Sequence, residues 1–297
     1  MKRVLHFFSY ILIVLFSFPF AILPHSISLK IGGMTGSLLF YLWRNRRIIA
    51  VDNLRSAVSR GAIKIDTPPE AVIKQNFMNM GKSFIEVLKI YFGSGKRIFE
   101  HIEIKGIDNF RKAQSKGAGV IFITGHCGNW ELTALSSPLV STRFNVVARP
   151  QNNPYLNRVI ERTREKYGNS VIYKKSALKK ILLALKRREA VGILMDQSVV
   201  GSEGVVAEFL GKKDHIMKSP AIIARKTGAP VLPVFIRRVI SGHLIEVGEE
   251  IELDASADYE QAVYNDTVKF SGKIEEYIKE NPAEWLWMHR RWKRIHD

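Results

Sequence analysis

Apolar residues fill the start of the chain almost without interruption and later recur in shorter groups separated by polar residues. Residues 4–23 hold twenty consecutive positions without Asp, Glu, Lys or Arg, directly after a basic N-terminus. A helix of that length crosses a hydrocarbon core of roughly 30 Å. A signal peptide is the alternative, but the segment after the apolar run lacks the two small residues of a cleavage site. The pattern therefore predicts an uncleaved membrane anchor over residues 1–25, and Pro19 and Pro24 leave a tilted or partly embedded helix open.

Residues 26–99 carry two further patterns of helical type. A second apolar stretch ends at Trp43, and three arginines lie within the next four residues. An aromatic ring beside a cationic cluster is typical of the lipid headgroup region, so we expect this part to be helical and interfacial. Pro69 then indicates the start of a longer helix, because proline is favoured in the first helical turn. Apolar residues at helical spacing predict the buried stripe of that helix: Ile73, Phe77, Met80, Phe84, Val87, Leu88 and Tyr91.

From residue 100 onward, short apolar runs of strand length alternate with amphipathic helical patterns. Such alternation indicates an α/β fold, with a mainly parallel or mixed central sheet flanked by helices, and we assign residues 100–297 to this domain. In open sheets of this kind, chemistry lies where strands end and loops begin. The predicted strands are 120–124, 145–149, 171–173, 190–195 and 231–238, and the predicted helices begin near residue 129 and cover 154–167, 176–188 and 218–227.

The charge of the chain is strongly positive, with 45 Lys and Arg against 28 Asp and Glu and a formal net charge of +17. So large an excess indicates an anionic partner, which is a nucleic acid, an acidic membrane surface, or an acidic substrate or carrier. Nucleic acid is the remotest of these, because no helix-turn-helix, zinc-finger or RNA-recognition pattern accompanies the charge. In the predicted helix 176–188, the inward stripe consists of Leu178, Ile181, Leu182 and Leu185. Its outward side carries Lys179, Lys180 and Lys186.

The segment with the most chemical content runs from Gly125 to Glu131 and reads Gly-His-Cys-Gly-Asn-Trp-Glu, directly after the predicted strand 120–124. Two glycines around His126 suit a tight turn, and Glu131 lies where its carboxylate can reach back to the imidazole. A histidine held by a carboxylate acts as a general base. Since no serine lies in a Gly-x-Ser-x-Gly turn, the attacking group is expected to belong to the substrate. The alternative is structural, with the histidine capping a helix and Glu131 complementing its dipole.

Cys127 is the single cysteine of the chain. It cannot form an internal disulfide, and a cysteine-rich metal site is excluded, which fits a reducing compartment. Its position beside His126 invites comparison with a thiol nucleophile next to its base. Adjacent side chains at the end of a strand tend to point apart, however, so we expect no thiol catalysis. No metal or other cofactor is predicted.

The Gly125–Glu131 segment resembles the His-x4-acid motif of the lysophospholipid acyltransferase superfamily. The rest of the chain resembles the lipid A late acyltransferase branch of that superfamily, the lauroyl and myristoyl transferases. Glu131 stands where many members of the superfamily have Asp, although Glu is usual in this branch. The further segments that carry the resemblance are Val146-Val147-Ala148-Arg149 with Asn153-Pro154, Arg164 to Gly168, Met195-Asp196-Gln197, Phe209-Leu210-Gly211, Thr227 to Pro233, and Trp287 to Lys293.

This resemblance implies an O-acyltransferase at the cytoplasmic face of the inner membrane, with residues 100–297 as its catalytic domain and His126 and Glu131 as its catalytic pair. The implied donor is an acyl-carrier-protein thioester, and the implied acceptor is a hydroxyl of a lipid A precursor. The expected partners are therefore acyl carrier protein, a glycolipid or lysolipid, and an anionic membrane surface. The alternative is an acyltransferase that acts on a glycerophospholipid or another lysolipid, and a membrane-tethered nucleic-acid-binding protein is a remote one.

Three further residues are expected to bind substrate. Arg149 ends a predicted strand, so its guanidinium can bind a phosphate or polarise the thioester carbonyl. Arg164 is a candidate for a second contact with a phosphate or with the carrier protein. Asp196 ends another predicted strand and is expected to orient Arg149 or Arg164. The alternatives without a functional role are a surface arginine for Arg149, a solvated arginine for Arg164 and a helix cap for Asp196.

Overall fold

The computed structural model describes residues 2–93, 95–140, 142–173, 177–256 and 258–293. The N-terminal part of the chain is helical. Pro24 immediately precedes the second helix, and Pro69 occupies the first turn of the fourth, as the sequence predicts. The four helices are α1 Lys2–Ile22, α2 His25–Leu42, α3 Arg44–Ser59 and α4 Pro69–Phe92.

Helix α1 is, within the described residues, the one helix long and apolar enough to cross a membrane by length and composition. Its side toward the protein carries several polar residues, among them His6, Ser9, Tyr10 and Ser17. The exposed side is apolar, which is the reverse of a helix on the surface of a soluble protein. α1 is therefore a candidate for a membrane anchor. The exposed apolar residues are Val4, Leu5, Phe7, Phe8, Leu12, Leu15, Phe16, Phe18 and Ile22.

Helices α2 and α4 touch through glycines. A Cβ atom on Gly36 would overlap the carbonyl oxygen of Phe77, and one on Gly81 would overlap the carbonyl oxygen of Gly32. Backbone contact at this distance tolerates no side chain at either position. The two helices therefore form one close-packed unit.

The predicted buried stripe of α4 is confirmed in part. Ile73, Phe77 and Leu88 are buried, but Phe84 is 55% exposed, so the prediction for that residue is wrong. Beyond Gly81, α4 packs against α1, and Ile85 takes the inward position next to Phe84. The remaining residues of the stripe, Met80, Val87 and Tyr91, are half-buried.

From residue 96 onward, helices and strands alternate as predicted. The helices are α5 Lys96–Phe99, α6 Ile107–Ser115, α7 Trp130–Leu135, α8 Pro154–Lys166, α9 Ala177–Lys186, α10 Ser219–Thr227 and α11 Tyr259–Glu280. The strands are β1 Ile102–Lys105, β2 Val120–Thr124, β3 Phe144–Ala148, β4 Asn169–Tyr173, β5 Ala190–Leu194, β6 Gly204–Phe209, β7 Lys212–Met217, β8 Val231–Val239 and β9 Gly242–Val247. Short 3₁₀ turns lie at Ser137–Val140, Gly201–Glu203 and Pro282–Glu284.

Seven of these strands form one twisted sheet in the order β1-β9-β8-β2-β5-β3-β4. Its neighbours are parallel except for the hairpin of β8 and β9, and β6 pairs with β7 in a separate antiparallel sheet. The predicted α/β fold with a mixed central sheet is therefore confirmed. β2 lies at the centre and is buried on both faces, as its continuous apolar sequence requires. Because β2, β5 and β3 are adjacent and parallel, the residues that follow them meet at one edge of the sheet.

Helix α9 lies on one face of this sheet. Ile181 and Leu185 are buried and Leu182 is half-buried, as predicted, whereas Leu178 is 52% exposed and the prediction for it is wrong. Leu178 lies in the first turn of α9, where it borders a cavity described below instead of the core. Lys179, Lys180 and Lys186 are exposed, as expected.

Candidate active site

His126 lies in the turn between β2 and α7. Gly128 follows with a left-handed φ of 54°, and a Cβ atom there would overlap the carbonyl oxygen of Ile236, so the turn needs glycine at this position. Asp196 lies two residues beyond β5, and the last residues of β2 and β5 are in register. This pairing brings the two loops together and places Asp196 against the histidine.

His126, which is half-buried, pairs with the fully buried Asp196. Nδ1 of His126 is 2.8 Å from Oδ1 of Asp196, and the backbone N–H of His126 donates to Oδ2 at 2.9 Å. Burial alone would raise the pKa of the Asp196 carboxyl group, but the histidine and the hydrogen bonds from the surrounding donors hold it well below its usual range. Burial works against protonation of His126, yet Asp196 keeps the pKa of the imidazole above its ordinary value.

Glu131 binds other partners. Its carboxylate accepts two hydrogen bonds from Arg164, from Nε and Nη2, both at 2.8 Å, and one from the hydroxyl of Tyr91 at 2.5 Å. The hydrogen bond that we expected between Glu131 and the imidazole is therefore made by Asp196 instead. Asp196 was expected to orient Arg149 or Arg164, but among the described residues its carboxylate bonds to His126 and Trp285 and to neither arginine. The reason is geometric, since β5 is the immediate neighbour of β2 in the sheet.

The side chain of Cys127 is buried. Burial, together with the nearby carboxylates of Asp196 and Glu284, raises the pKa of its thiol well above the usual value. A nucleophilic cysteine needs a lowered pKa and access to substrate. The environment of Cys127 provides neither, in keeping with the expectation from the sequence.

Glu86 forms a second buried cluster on the other side of the turn, which we did not predict. Its carboxylate accepts two hydrogen bonds from Arg238, at 2.8 and 2.7 Å, and one from the side chain of Asn129 at 2.9 Å. His243 Nε2 lies 3.0 Å away. Burial raises the pKa of Glu86, but the arginine and the histidine outweigh it and lower the value to about 2. Through Asn129, this charged cluster fixes the start of α7.

A cavity of about 810 Å³ opens beside His126. Thr124 and Leu194 lie near the histidine, and Phe122, Val146 and Gly192 follow one level deeper at matched positions of three neighbouring strands. Nothing lies within 4 Å of the position that a Cβ atom on Gly192 would occupy. The polar side chains of the cavity include Glu131, Arg149, Arg164 and Gln197. A mainly apolar cavity with a few polar groups in its wall is typical of a ligand-binding site.

Arg149 and Gln197 are two of the polar residues that line the cavity. Arg149 is exposed just beyond β3 and forms no hydrogen bond or ion pair with the described residues. The side-chain nitrogen of Gln197 lies 3.4 Å from both ring nitrogens of His126. No group of three or more His, Cys, Asp or Glu among the described residues could hold a metal ion.

Helix α1 is bonded to the rest of the protein at both of its ends. Near its start, the side chain of Asn153 donates to the carbonyl of His6 at 2.8 Å, and Tyr155 stacks on Tyr10. Near its end, the buried Lys89 of α4 donates to the carbonyls of Phe20 and Leu23, at 2.5 and 2.6 Å. α1 therefore lies along the protein instead of projecting from it.

Comparisons with known proteins identify the family to which the chain is similar. The sequence profile described as bacterial lipid A biosynthesis acyltransferase matches residues 2–294. The chain is 26% identical to the lipid A biosynthesis palmitoleoyltransferase of Escherichia coli over 278 residues, covering 91% of this chain and 86% of that protein. It is 24% identical to the lipid A biosynthesis lauroyltransferase of the same organism over 275 residues, covering 91% and 87%.

Two more distant similarities complete the comparison. A phosphatidylinositol mannoside acyltransferase of Mycolicibacterium smegmatis is 22% identical over 228 residues, covering 75% of this chain and 73% of that protein. The crystal structure of a 1-acyl-sn-glycerophosphate acyltransferase from Thermotoga maritima superposes with a TM-score of 0.40 at 14% identity, covering 86% of this chain and 99% of the other.

Proposed function

The chain belongs to the bacterial lipid A biosynthesis acyltransferase family, and we propose that it transfers a fatty acyl chain from an acyl-carrier-protein thioester to a hydroxyl of a lipid A precursor. The observation that carries the proposal is the hydrogen-bonded His126–Asp196 pair, whose histidine lines a large and mainly apolar cavity. The pair can activate a hydroxyl, and the cavity can hold a hydrocarbon chain next to it.

In the proposed reaction, His126 is the general base. Asp196 accepts the Nδ1–H hydrogen bond, which fixes the tautomer that leaves the lone pair on Nε2. Nε2 takes the proton of the acceptor hydroxyl while the hydroxyl oxygen attacks the thioester carbonyl carbon. The carbon–sulfur bond then breaks, and the imidazolium returns its proton to the leaving thiolate. The acyl group passes directly between substrates, and no acyl-enzyme forms.

The cationic groups of the cavity bind the polar parts of the substrates in this proposal. Arg149 is free to bind a phosphate or the thioester carbonyl, since it lacks a partner in the described part of the protein. Arg164 is held at the cavity wall by Glu131 and Tyr91. Glu131 therefore serves to position Arg164 and the start of α7, and Asp196 takes the place beside the base.

The apolar cavity is the proposed acyl site. Burial of each methylene group of the acyl chain contributes about 0.8 kcal/mol, so a pocket of this depth favours long chains. Gly192 keeps the channel open between Phe122 and Val146, on its two neighbouring strands. The exposed lysines of α9 lie beside the cavity and form the proposed docking surface for the acidic carrier protein.

The proposed location is the cytoplasmic face of the inner membrane. α1 presents an apolar side to lipid while its polar side contacts the protein, and the exposed residues of α2 are also largely apolar. The net charge of +17 favours an anionic membrane surface. The docking of α1 at both ends supports a helix that is embedded alongside the catalytic domain, and the acceptor lipid then reaches His126 from the bilayer.

Another lysolipid is the second candidate for the acceptor, motivated by the match to a phosphatidylinositol mannoside acyltransferase. Mass spectrometry of lipid extracts from a deletion strain, complemented with the wild-type gene or with His126→Ala, separates the two. We expect the deletion and the variant to lack one acyl chain of lipid A, with phospholipids unchanged. A change confined to phospholipids or other lysolipids would overturn the lipid A assignment.

The donor is tested separately with purified enzyme in detergent. Acyl carrier protein and coenzyme A thioesters of the same fatty acid are compared at equal concentration. We expect turnover with the carrier-protein thioester and little with the coenzyme A thioester. Equal use of both donors would contradict the proposed carrier-protein dependence while leaving the acyl transfer itself intact.

A further inference from the structure

The C-terminal segment Glu284–Leu286 runs antiparallel to the turn that carries His126. The backbone N–H of Gly128 donates to the carbonyl of Glu284 at 2.8 Å, and the N–H of Leu286 donates to the carbonyl of His126 at 3.0 Å. Between these two bonds, Cys127 and Trp285 form a β-bridge. Two backbone hydrogen bonds therefore fix the turn from the end of the chain.

The side chain of Trp285 reaches past the turn to Asp196. Its indole N–H donates to Oδ2 of Asp196 at 2.8 Å, and the ring is 2% exposed. The same oxygen accepts the backbone N–H of His126, while Oδ1 faces the imidazole. Both carboxylate oxygens are thus occupied, and only one of them is directed at the histidine ring.

The segment is itself held by the N-terminal helices. The side chain of Asn76 in α4 donates to the carbonyls of Ala283 and Trp285, both at 2.8 Å. Further along, Asn53 of α3 donates to the carbonyl of Trp287 at 2.8 Å, and Arg291 donates to the backbone carbonyl of Asp196. Two asparagine side chains bonded to backbone carbonyls of this segment fix it in one conformation.

We propose that Trp285 is a positioning residue for the reaction, which acts through Asp196 to set the orientation and basicity of His126. This inference rests on the proposed function of His126 as the base. The indole N–H donates to Oδ2 and stabilises negative charge on that oxygen. Oδ1 then remains available to orient the imidazole. Trp285 touches neither substrate in this scheme, and its effect reaches the reaction only through the pair.

The test compares Trp285→Phe with Trp287→Phe in the full-length enzyme. Both rings are fully buried and pack against each other, with centroids 4.6 Å apart, but the indole N–H of Trp287 donates to the carbonyl of Pro282 instead. Each substitution removes one indole hydrogen bond and keeps an aromatic ring. The two variants therefore differ in whether the lost bond ends on Asp196.

For Trp285→Phe, we expect kcat to fall about 10- to 100-fold with little change in KM, as for loss of a hydrogen bond to a charged group. The acid limb of the pH–kcat/KM profile should move to higher pH. Without the indole N–H, the Asp196 carboxylate carries more negative charge and stabilises the imidazolium form of His126 more strongly. Because the neutral imidazole is the active form, a higher pH is then needed to reach full activity. The other charged or titratable groups that face the pair are Arg291, His289 and Cys127, and all three are retained.

Trp287→Phe should lose stability to a similar degree and keep the acid limb of wild type. If both variants show the same profile, or if Trp285→Phe moves the acid limb to lower pH, Trp285 only supports the fold and the inference is wrong. Should Trp285→Phe fail to fold, replacement of Trp285 by benzothienylalanine, which keeps the two-ring shape and lacks the N–H, gives the same comparison. Full activity of His126→Ala would instead overturn the proposed base, whatever the tryptophan variants show.

Discussion

Two carboxylates lie near the turn that carries His126, and they differ in the group that each one holds. Asp196 is paired with His126, whose proton can move near neutral pH, whereas Glu131 is paired with Arg164, whose charge is permanent. No side chain of either pair is more than 22% exposed, and both pairs have hydrogen bonds of 2.8 Å. Geometry alone therefore does not separate a catalytic pair from a structural one. The titration of the partner separates them, because only the Asp196 pair can accept a proton from a substrate and return it.

The largest effect is expected when the imidazole of His126 is removed from the Asp196 pair. His126→Ala should lower kcat by about 10²- to 10⁴-fold, since the acceptor hydroxyl then loses its general base. Binding of the acceptor lipid and the thermal unfolding midpoint should stay near those of wild type. Steady-state kinetics with the purified enzyme check the rate, and near-normal turnover would contradict the mechanism.

Asp196→Asn and Glu131→Gln distinguish the two carboxylates directly. The charge of Asp196 raises the pKa of His126, so its removal should move the acid limb of the kcat/KM profile to lower pH, while kcat itself falls about 10²-fold. Glu131→Gln should leave the acid limb in place and instead destabilise the protein by about 1–3 kcal/mol through its weakened bonds to Arg164. Denaturant unfolding and pH-dependent kinetics on both variants check this contrast. An unshifted acid limb in Asp196→Asn would exclude Asp196 as the partner of the base.

Gly192→Leu tests the cavity that lies next to the Asp196 pair. A leucine side chain between Phe122 and Val146 should shorten the usable channel, so the preferred acyl chain becomes shorter. A mismatch of this kind changes the ratio of kcat/KM between two chain lengths about 10-fold or more. Competition between two acyl donors of different length in one reaction measures that ratio. An unchanged ratio would show that the acyl chain lies elsewhere.

Charge reversal on α9 should have a smaller effect that depends on salt. Lys179→Glu and Lys180→Glu should each raise KM for acyl carrier protein severalfold at low ionic strength and leave kcat nearly unchanged. The effect should fade at physiological salt, where charges are screened within about 8 Å. Lys279→Glu, an exposed lysine near the end of α11, is the matched control. If all three variants behave alike, the membrane is the better partner for the charge of α9.

The smallest effect on rate is expected for Cys127→Ser. The thiol is buried and has a raised pKa, so its loss should leave most of the activity, although the buried hydroxyl lowers stability somewhat. Mass spectrometry of the enzyme mixed with donor should find no acyl group on the protein. A thioester on Cys127 would reverse the assignment of direct transfer.

The helices and strands that hold the site could be predicted from the sequence more accurately than the contacts between its side chains. β2 has the predicted bounds, and the apolar runs of β3, β5 and β8 lie within one residue of theirs, because buried parallel strands have continuous apolar sequences. The position of His126 at the end of β2 follows from the same pattern. The partner of His126 did not follow, since local spacing favours Glu131 and only the strand order places Asp196 next to the ring.

Trp285 and Glu86 could not be predicted for a related reason. Trp285 meets Asp196 across 89 residues of sequence, and Glu86 meets Asn129 across 43. Contacts at such separations depend on how whole elements pack, and the sequence pattern of a single element does not contain them. The cluster of tryptophans near the C-terminus was the one visible signal, because buried indoles need hydrogen-bond partners.

The contact of Lys89 with the end of α1 has a consequence for the order in which the protein can fold. α1 precedes α4 in the chain, yet two carbonyl groups at its end are bonded to Lys89, a residue that is synthesised only after α2 and α3. Until α4 is present, these carbonyls need other donors. The end of α1 therefore reaches its final hydrogen bonding only after α4 has been synthesised.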